Sequence, residues 1–252
     1  MKKFTLSIAA LALISGPVFA HGDGEHDVED QIKKAMSSDI RTEAEKERDS
    51  NRRPLETLAF FGLESDMKVV ELIPGGGWYT KILYPVVEDH GEYYAAIGTG
   101  RVKERLGDEF EKMNIIAEDA KLWREEGDRF YSLALDSLGV SDADMVLTFR
   151  NYHNFNEVGR KAMNKAAFDA LKPGGIYAVV DHTKRHMEPD TPSNRRRIDP
   201  VLAIKEILDA GFELVDYSRL HYREDDELRY EVGAKSVRGN TDRFTLKFKK
   251  PE

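Results

Sequence analysis

The sequence has no cysteine. That excludes disulfides, thiolate metal ligands, a thiol nucleophile and a lipid-modified cysteine anchor, so the fold must rest on its own apolar core. After the first twenty residues no apolar run is long enough to cross a bilayer. Basic residues are in the minority: 38 Lys and Arg stand against 46 Asp and Glu, a net charge of −8. An acidic balance of this kind argues against general nucleic-acid binding. No internal repeat is visible.

The N-terminus carries a targeting pattern. Met1-Lys2-Lys3 is charged, residues 4–16 are apolar, and small residues lead to Ala20. This is the pattern of a secretory signal peptide cleaved after Ala20. The expectation is an exported, periplasmic protein of about 230 residues, enough for one domain with a buried core and with no stable membrane association after cleavage. Residues 21–53 read as a polar tail (21–30) followed by an N-terminal helix in which Ile32, Met36 and Ile40 share one face. An N-terminal His21, with His26 nearby, has the groups to chelate a metal, but a frayed polar terminus is the better expectation.

The most informative stretch is Lys68 to Thr80, KVVELIPGGGWYT. A short apolar strand, 69–73, breaks at Pro74 and passes through Gly75, Gly76 and Gly77 into an amphipathic helix, 78–87, that Pro85 should kink or end. Glycines at a strand-to-helix turn let a ligand approach the main chain, and the helix start favours an anionic group. Glu71, at the strand end, could accept from a donor on the same ligand.

Around it the chain alternates strands with helices. Helix 54–61 starts on Pro54 and stops at Gly62, and arginines crowd just before it. Strand 93–97, helix 101–113, a short helix within 117–126, strand 130–135 and strand 143–149 follow. Next come helix 158–171, a tight turn at 172–175 and strand 176–180, which ends at Asp181-His182. Asp199 caps a helix begun by Pro200, with Val201, Ile204 and Leu208 as its buried stripe and Gly211 as its stop. Strands 212–217 and 244–248 close the chain around a long polar segment, 221–241. This pattern predicts an α/β, doubly wound, mostly parallel sheet with an N-terminal helical cap. Its ligand site should lie at the carboxyl ends of the strands.

Five features converge on those ends: the glycine turn, the Gly98–Gly100 turn, Asp136, Arg150-Asn151-Tyr152-His153 and Asp181-His182. With VVELIPGGGWYT, ADMVLTFRNYHNF and LKPGGIYAVVDH in that order, and GFELVDYSRL and TDRFTLKFKKP as a closing pair, residues 54–252 resemble the class I S-adenosylmethionine-dependent methyltransferases. More narrowly they resemble an exported bacterial "predicted methyltransferase" family. The resemblance implies a Rossmann-like sheet of seven strands, six parallel and the last antiparallel, with S-adenosylmethionine as cofactor. It implies cofactor contacts from Glu71, Pro74, Gly75, Gly76, Gly77, Trp78 and Thr80, from Thr99 and Asp136, and from Arg150 and Asn151. Two positions depart from the family pattern. Ile73 stands where a glycine is usual, and the second strand ends in Ile97-Gly98-Thr99 where many members carry a ribose-binding acid.

His153 has the chemistry of a general base, with Asp181 to orient it. Tyr152, His182, Arg185 and Arg197 are candidate substrate contacts, although core packing is the better expectation for Tyr152. Arg185 and Arg197 belong to a basic segment that would suit an anionic group, although a solvated charged loop is the better expectation. His182 and His186 have a spacing that on a helix could hold a metal, but Pro189 and Pro192 argue against a helix, so no metal is expected. The leading expectation is a methyltransferase for a small molecule of unknown oligomeric state. The alternative is an exported binding protein whose methyltransferase fold has lost or altered its cofactor use.

Overall fold

The computed structural model describes residues 23–252, with side chains from residue 28 onward. The expected signal peptide, its cleavage point and His21 lie outside the described residues, as does the side chain of His26.

The order of elements follows the hydrophobic pattern. Helix α1 (Asp23–Ser37) leads into two single-turn helices, α2 (Glu43–Lys46) and α3 (Asp49–Arg52), then α4 (Pro54–Phe61). Strand β1 (Lys68–Leu72), helix α5 (Thr80–Val87), strand β2 (Glu92–Ala96), helix α6 (Gly100–Leu106) and strand β3 (Asn114–Ile116) follow. A small hairpin of β4 (Lys121–Trp123) and β5 (Ser132–Ala134) precedes β6 (Ala143–Phe149), α7 (Glu157–Ala170) and β7 (Leu171–His182). The chain closes with α8 (Pro200–Asp209), β8 (Glu213–Ser218) and β9 (Arg243–Lys249).

The seven-stranded sheet runs β3-β2-β1-β6-β7-β9-β8, and β9 alone is antiparallel to its neighbours. Side chains alternate between its two faces, as the two-residue period requires. Val69, Met145, Leu147, Ala178 and Val180 join α1, α4 and α5 in one core. Val70, Val146, Tyr177 and Val179 join α7 and α8 in the other. The central strands are apolar on both faces because each face is covered by helices. Strand order reverses between β1 and β6, which opens a crevice at their carboxyl ends.

Several local expectations are corrected. α1 already begins at Asp23, inside the stretch expected to be a loose tail, and it packs on α4 and α5 through Val28, Ile32 and Ala35. α6 stops at Leu106, because Gly107 and Asp108 are poor helix formers, although Phe110 and Met113 are still buried. No helix forms over 117–126. Its only large apolar residues, Leu122 and Trp123, are adjacent and cannot make a helical stripe, and they sit in β4 instead. Strand 130–135 shortens to β5 and pairs only with β4, so the third strand of the main sheet is β3. On α8, Val201 is 51% and Leu208 42% exposed; the buried side chains are Ala203 and Ile207, which lie on the face turned to the sheet. Pro85 does not stop α5 at once, and the helix ends two residues later.

Candidate functional site

The turn after β1 is built from unusual backbone. Ile73 has φ +54°, the left-handed region that β-branched residues rarely enter. Its N–H donates to the carbonyl of Ala96, and its own carbonyl accepts from Asn151 Nδ2 at 3.1 Å. Ile97 after β2 (φ +64°) and Arg150 after β6 (φ +62°) share this conformation. Left-handed residues therefore mark the carboxyl ends of the three strands that flank the crevice. Gly77 (φ +83°) must lack a Cβ, which would stand 2.5 Å from Leu106 Cδ1. Its absence lets α6 close against the turn.

A cavity of about 290 Å³ opens here. Seven residues singled out from the sequence line it: Glu71, Pro74, Gly75, Gly76, Trp78, Arg150 and Asn151. Thr80 supports it from behind, donating to Glu71 Oε2 at 2.7 Å, and Tyr93 donates to the same oxygen at 2.5 Å. Burial pushes the Glu71 carboxyl up to about 7, against the pull of those two hydroxyls. Three expected contacts, Gly77, Thr99 and Asp136, do not line the cavity. Thr99 is buried at the start of α6, and Asp136 is exposed beyond β5, in the excursion that leaves the main sheet.

Sequence reasoning missed most of the charge. Arg48, Arg52, Arg101 and Arg105 line the same cavity beside Arg150. Arg52 stacks on Trp78, and Tyr79 stacks on Phe149 with centroids 3.5 Å apart. A second cavity of about 590 Å³ shares Arg48, Arg52 and Arg150 and adds Arg196, Arg238, Arg243 and His182. The arginine crowd before Pro54 was the visible signal. Nothing in the polar 221–241 segment or at the start of β9 announced that Arg238 and Arg243 would join it.

The strand-end histidines take different sides. Asp181 is fully buried and holds His153 twice, accepting from its N–H at 2.9 Å and meeting its Nδ1 at 2.5 Å. Asp181 thus orients His153, but the ring faces two smaller clefts with Phe130 and lines neither cavity beside the glycine turn. The imidazole that lines the larger cavity is His182. Its Nδ1 pairs with Thr241 Oγ1 at 2.8 Å. Burial, then His153 and the arginines Arg150, Arg243 and Arg197, hold it well below the usual histidine range, so it is neutral.

Three expected substrate contacts have other partners. Tyr152 is buried in the core, donating to Glu206 and accepting from Asn164. Arg197 is buried against Asp226 at 2.9 Å, and Arg185 is exposed, bonding the carbonyl of Glu227. His186 bonds Asp199 at 2.9 Å and does not join His182. Among the described residues no group of three or more His, Asp or Glu side chains could hold a metal.

No protein-family model matches the chain, and no curated protein does. Solved structures do match in fold. A SAM-dependent methyltransferase from Aquifex aeolicus is 16% identical with a TM-score of 0.54, covering 88% of this chain and 97% of its own. The (4+2)-cyclase SpnF is 14% identical with a TM-score of 0.55, covering 90% and 93%. Human N-acetylserotonin methyltransferase, solved in complex with SAM, is 14% identical with a TM-score of 0.51, covering 89% of this chain and 57% of its own. The chain therefore has the class I methyltransferase fold.

Proposed function

We propose that this protein is an exported S-adenosylmethionine-dependent methyltransferase acting on a small anionic molecule. The observation that carries the proposal is the cavity at the β1/β6 reversal, where Glu71, the Pro74–Gly76 turn and Arg150-Asn151 meet. The residues fit the amino-acid end of the cofactor. Glu71 would take its ammonium group, and Arg150 with the backbone of the turn would take its carboxylate. The nucleoside end has no acidic partner after β2. Tyr79 and Phe149 offer an aromatic wall, and Arg101 and Arg105 offer the polar groups on the side of α6. When bound, the cofactor supplies an electrophilic methyl group on a sulfonium. His182, neutral and lining the adjoining cavity, accepts a hydrogen bond from the group to be methylated and orients it, and the proton released on methylation leaves to solvent. His153 and Asp181 hold the strand end that positions it.

A second proposal is a binding protein with altered cofactor use. Ile73 favours it, since it puts a bulky side chain at a left-handed turn that lines the crevice. One protein of this fold is described as a cyclase, so the fold alone does not dictate methyl transfer. Calorimetric titration of S-adenosylmethionine and S-adenosylhomocysteine separates the two. Micromolar binding, abolished by Gly76→Arg, is expected of the methyltransferase. Absence of binding at millimolar ligand leaves only the second proposal.

A further inference from the structure

The buried arginines of this protein fall into two groups. Arg41 meets Asp49 at 2.5 Å, Arg160 meets Glu206 at 2.6 Å and Arg197 meets Asp226 at 2.9 Å. Arg52, Arg150 and Arg243 meet no carboxylate. Arg52 is 3% exposed, and its guanidinium rests on the rings of Trp78 and Tyr79 without donating a hydrogen bond. Arg150 is half-buried, and its buried Nε has no partner. Arg243 is 5% exposed and donates only to the carbonyls of Thr241 and Asn51. Burial holds Arg52 down to about 8 and Arg243 down to about 10, with the charge of Arg150 the next cause in both. Buried cations are normally paired, and these three have no direct ion pair; Glu71, Asp181 and Asp242 act on Arg52, Arg150 and Arg243 only at longer range.

All three face the larger cavity. Arg48 and Arg238, both exposed and unpaired, stand at its rim, and no carboxylate lines it. The protein is acidic as a whole, so six arginines around one cavity of about 590 Å³, of which Arg196 alone is ion-paired, to Glu231, are not a consequence of composition. Guanidinium forks match the paired oxygens of phosphate and carboxylate groups. The volume suits a small molecule.

We propose that this cavity is a subsite for a multiply charged oxyanion, phosphate or polycarboxylate, with Arg52, Arg150 and Arg243 as its floor and Arg48 and Arg238 as its entrance. The inference rests on the methyl-transfer proposal only in naming the occupant the acceptor; the anion site stands without it. Because Arg48, Arg52 and Arg150 line both cavities, an anion held here sets the rest of its molecule beside His182 and the glycine turn.

The test uses inorganic pyrophosphate and citrate as probes, at constant ionic strength, by calorimetry and thermal unfolding of the purified protein. At least one anion binds at micromolar concentration and raises the melting temperature, and which of them does so assigns the phosphate or carboxylate class. Arg150→Gln and Arg238→Gln each weaken that binding by about tenfold or more. Arg150→Gln without ligand melts no lower than the parent, because it removes a cation that has no partner. Should that variant fail to fold, Arg238→Gln at the exposed rim carries the test. Binding of neither anion at millimolar concentration, or binding unchanged in both variants, overturns the proposal. S-adenosylhomocysteine bound with no anion bound removes this proposal alone. Anion bound with no S-adenosylhomocysteine bound removes methyl transfer and leaves the anion site.

Discussion

The guanidinium of Arg52 lies 4.1 Å from the centre of the Trp78 ring, and Trp78 is the first residue after the glycine turn. Arg41 approaches the same ring at 4.9 Å, and the indole N–H donates to the carbonyl of Glu45 at 3.1 Å. One aromatic side chain thus joins the N-terminal helical segment to the loop that borders the first cavity. The cap is part of the site, because it supplies Arg48 and Arg52.

Trp78→Leu should therefore destabilise the protein by about 2–3 kcal/mol, from one partly buried hydrogen bond and a desolvated cation–π contact. Urea unfolding measures it. A loss under about 0.5 kcal/mol, the range of ordinary surface changes, would show that the ring is not a platform.

Glu71 should make stability fall with rising pH over a defined window. Burial raises its carboxyl from the usual 4.5 to about 7, so between those values the folded state holds a proton that the unfolded state has released. Its contribution is complete below pH 4.5 and is lost as pH rises to about 7, amounting to roughly 3 kcal/mol. His221 acts in the opposite sense. Burial lowers it from 6.5 to about 4, so stability is lost as pH falls through that interval. Glu71→Gln keeps an acceptor for Tyr93 and Thr80 and should remove only the first slope. An unchanged profile between pH 4.5 and 7 in that variant would rule out Glu71 as its source.

Ile73→Gly tests whether the bulky residue crowds the cofactor. Glycine takes φ +54° without the cost of roughly 1–2 kcal/mol that other residues incur there. S-adenosylhomocysteine affinity should rise about tenfold, or about 1.4 kcal/mol. Weaker binding in the variant would show that the isoleucine shapes the site to its ligand.

Arg197 and Arg185 should separate cleanly. Arg197→Ala leaves Asp226 buried and unpaired and breaks bonds to the carbonyls of Tyr230 and Thr183. The expected loss is about 3–5 kcal/mol. Arg185→Ala, at an exposed side chain, should stay within about 0.5 kcal/mol. Equal effects in chemical denaturation would contradict the structural role assigned to Arg197.

The central strands and the glycine turn were legible from sequence because their signals are local. Val69, Val70, Leu72, Met145, Val146 and Leu147 are buried on whichever face they take. Gly62 and Asp199 act as helix stop and helix cap through their own backbone and side chain. Periodicity was less reliable at the margins. On α8 the residues Val201 and Leu208 share a helical stripe in sequence, yet Ala203 and Ile207 turn inward, since the neighbouring sheet decides which stripe is covered. The stretch 117–126 has no stripe at all, and its pairing as β4 depends on β5.

The sequence by itself determined the α/β alternation, the sheet with its glycine turn, and the place where a ligand would sit, because each follows from hydrophobic period, turn chemistry and strand-end position. Tertiary structure alone decided which charges meet there. Arg52, Arg150 and Arg243 are far apart along the chain, and only the packing of α3, the end of β6 and the start of β9 around one cavity makes them neighbours. It also decided that Arg197 is paired and buried while Arg52 is buried without a carboxylate. Electrostatic environment is a property of distance through space, and nothing in the order of residues records it.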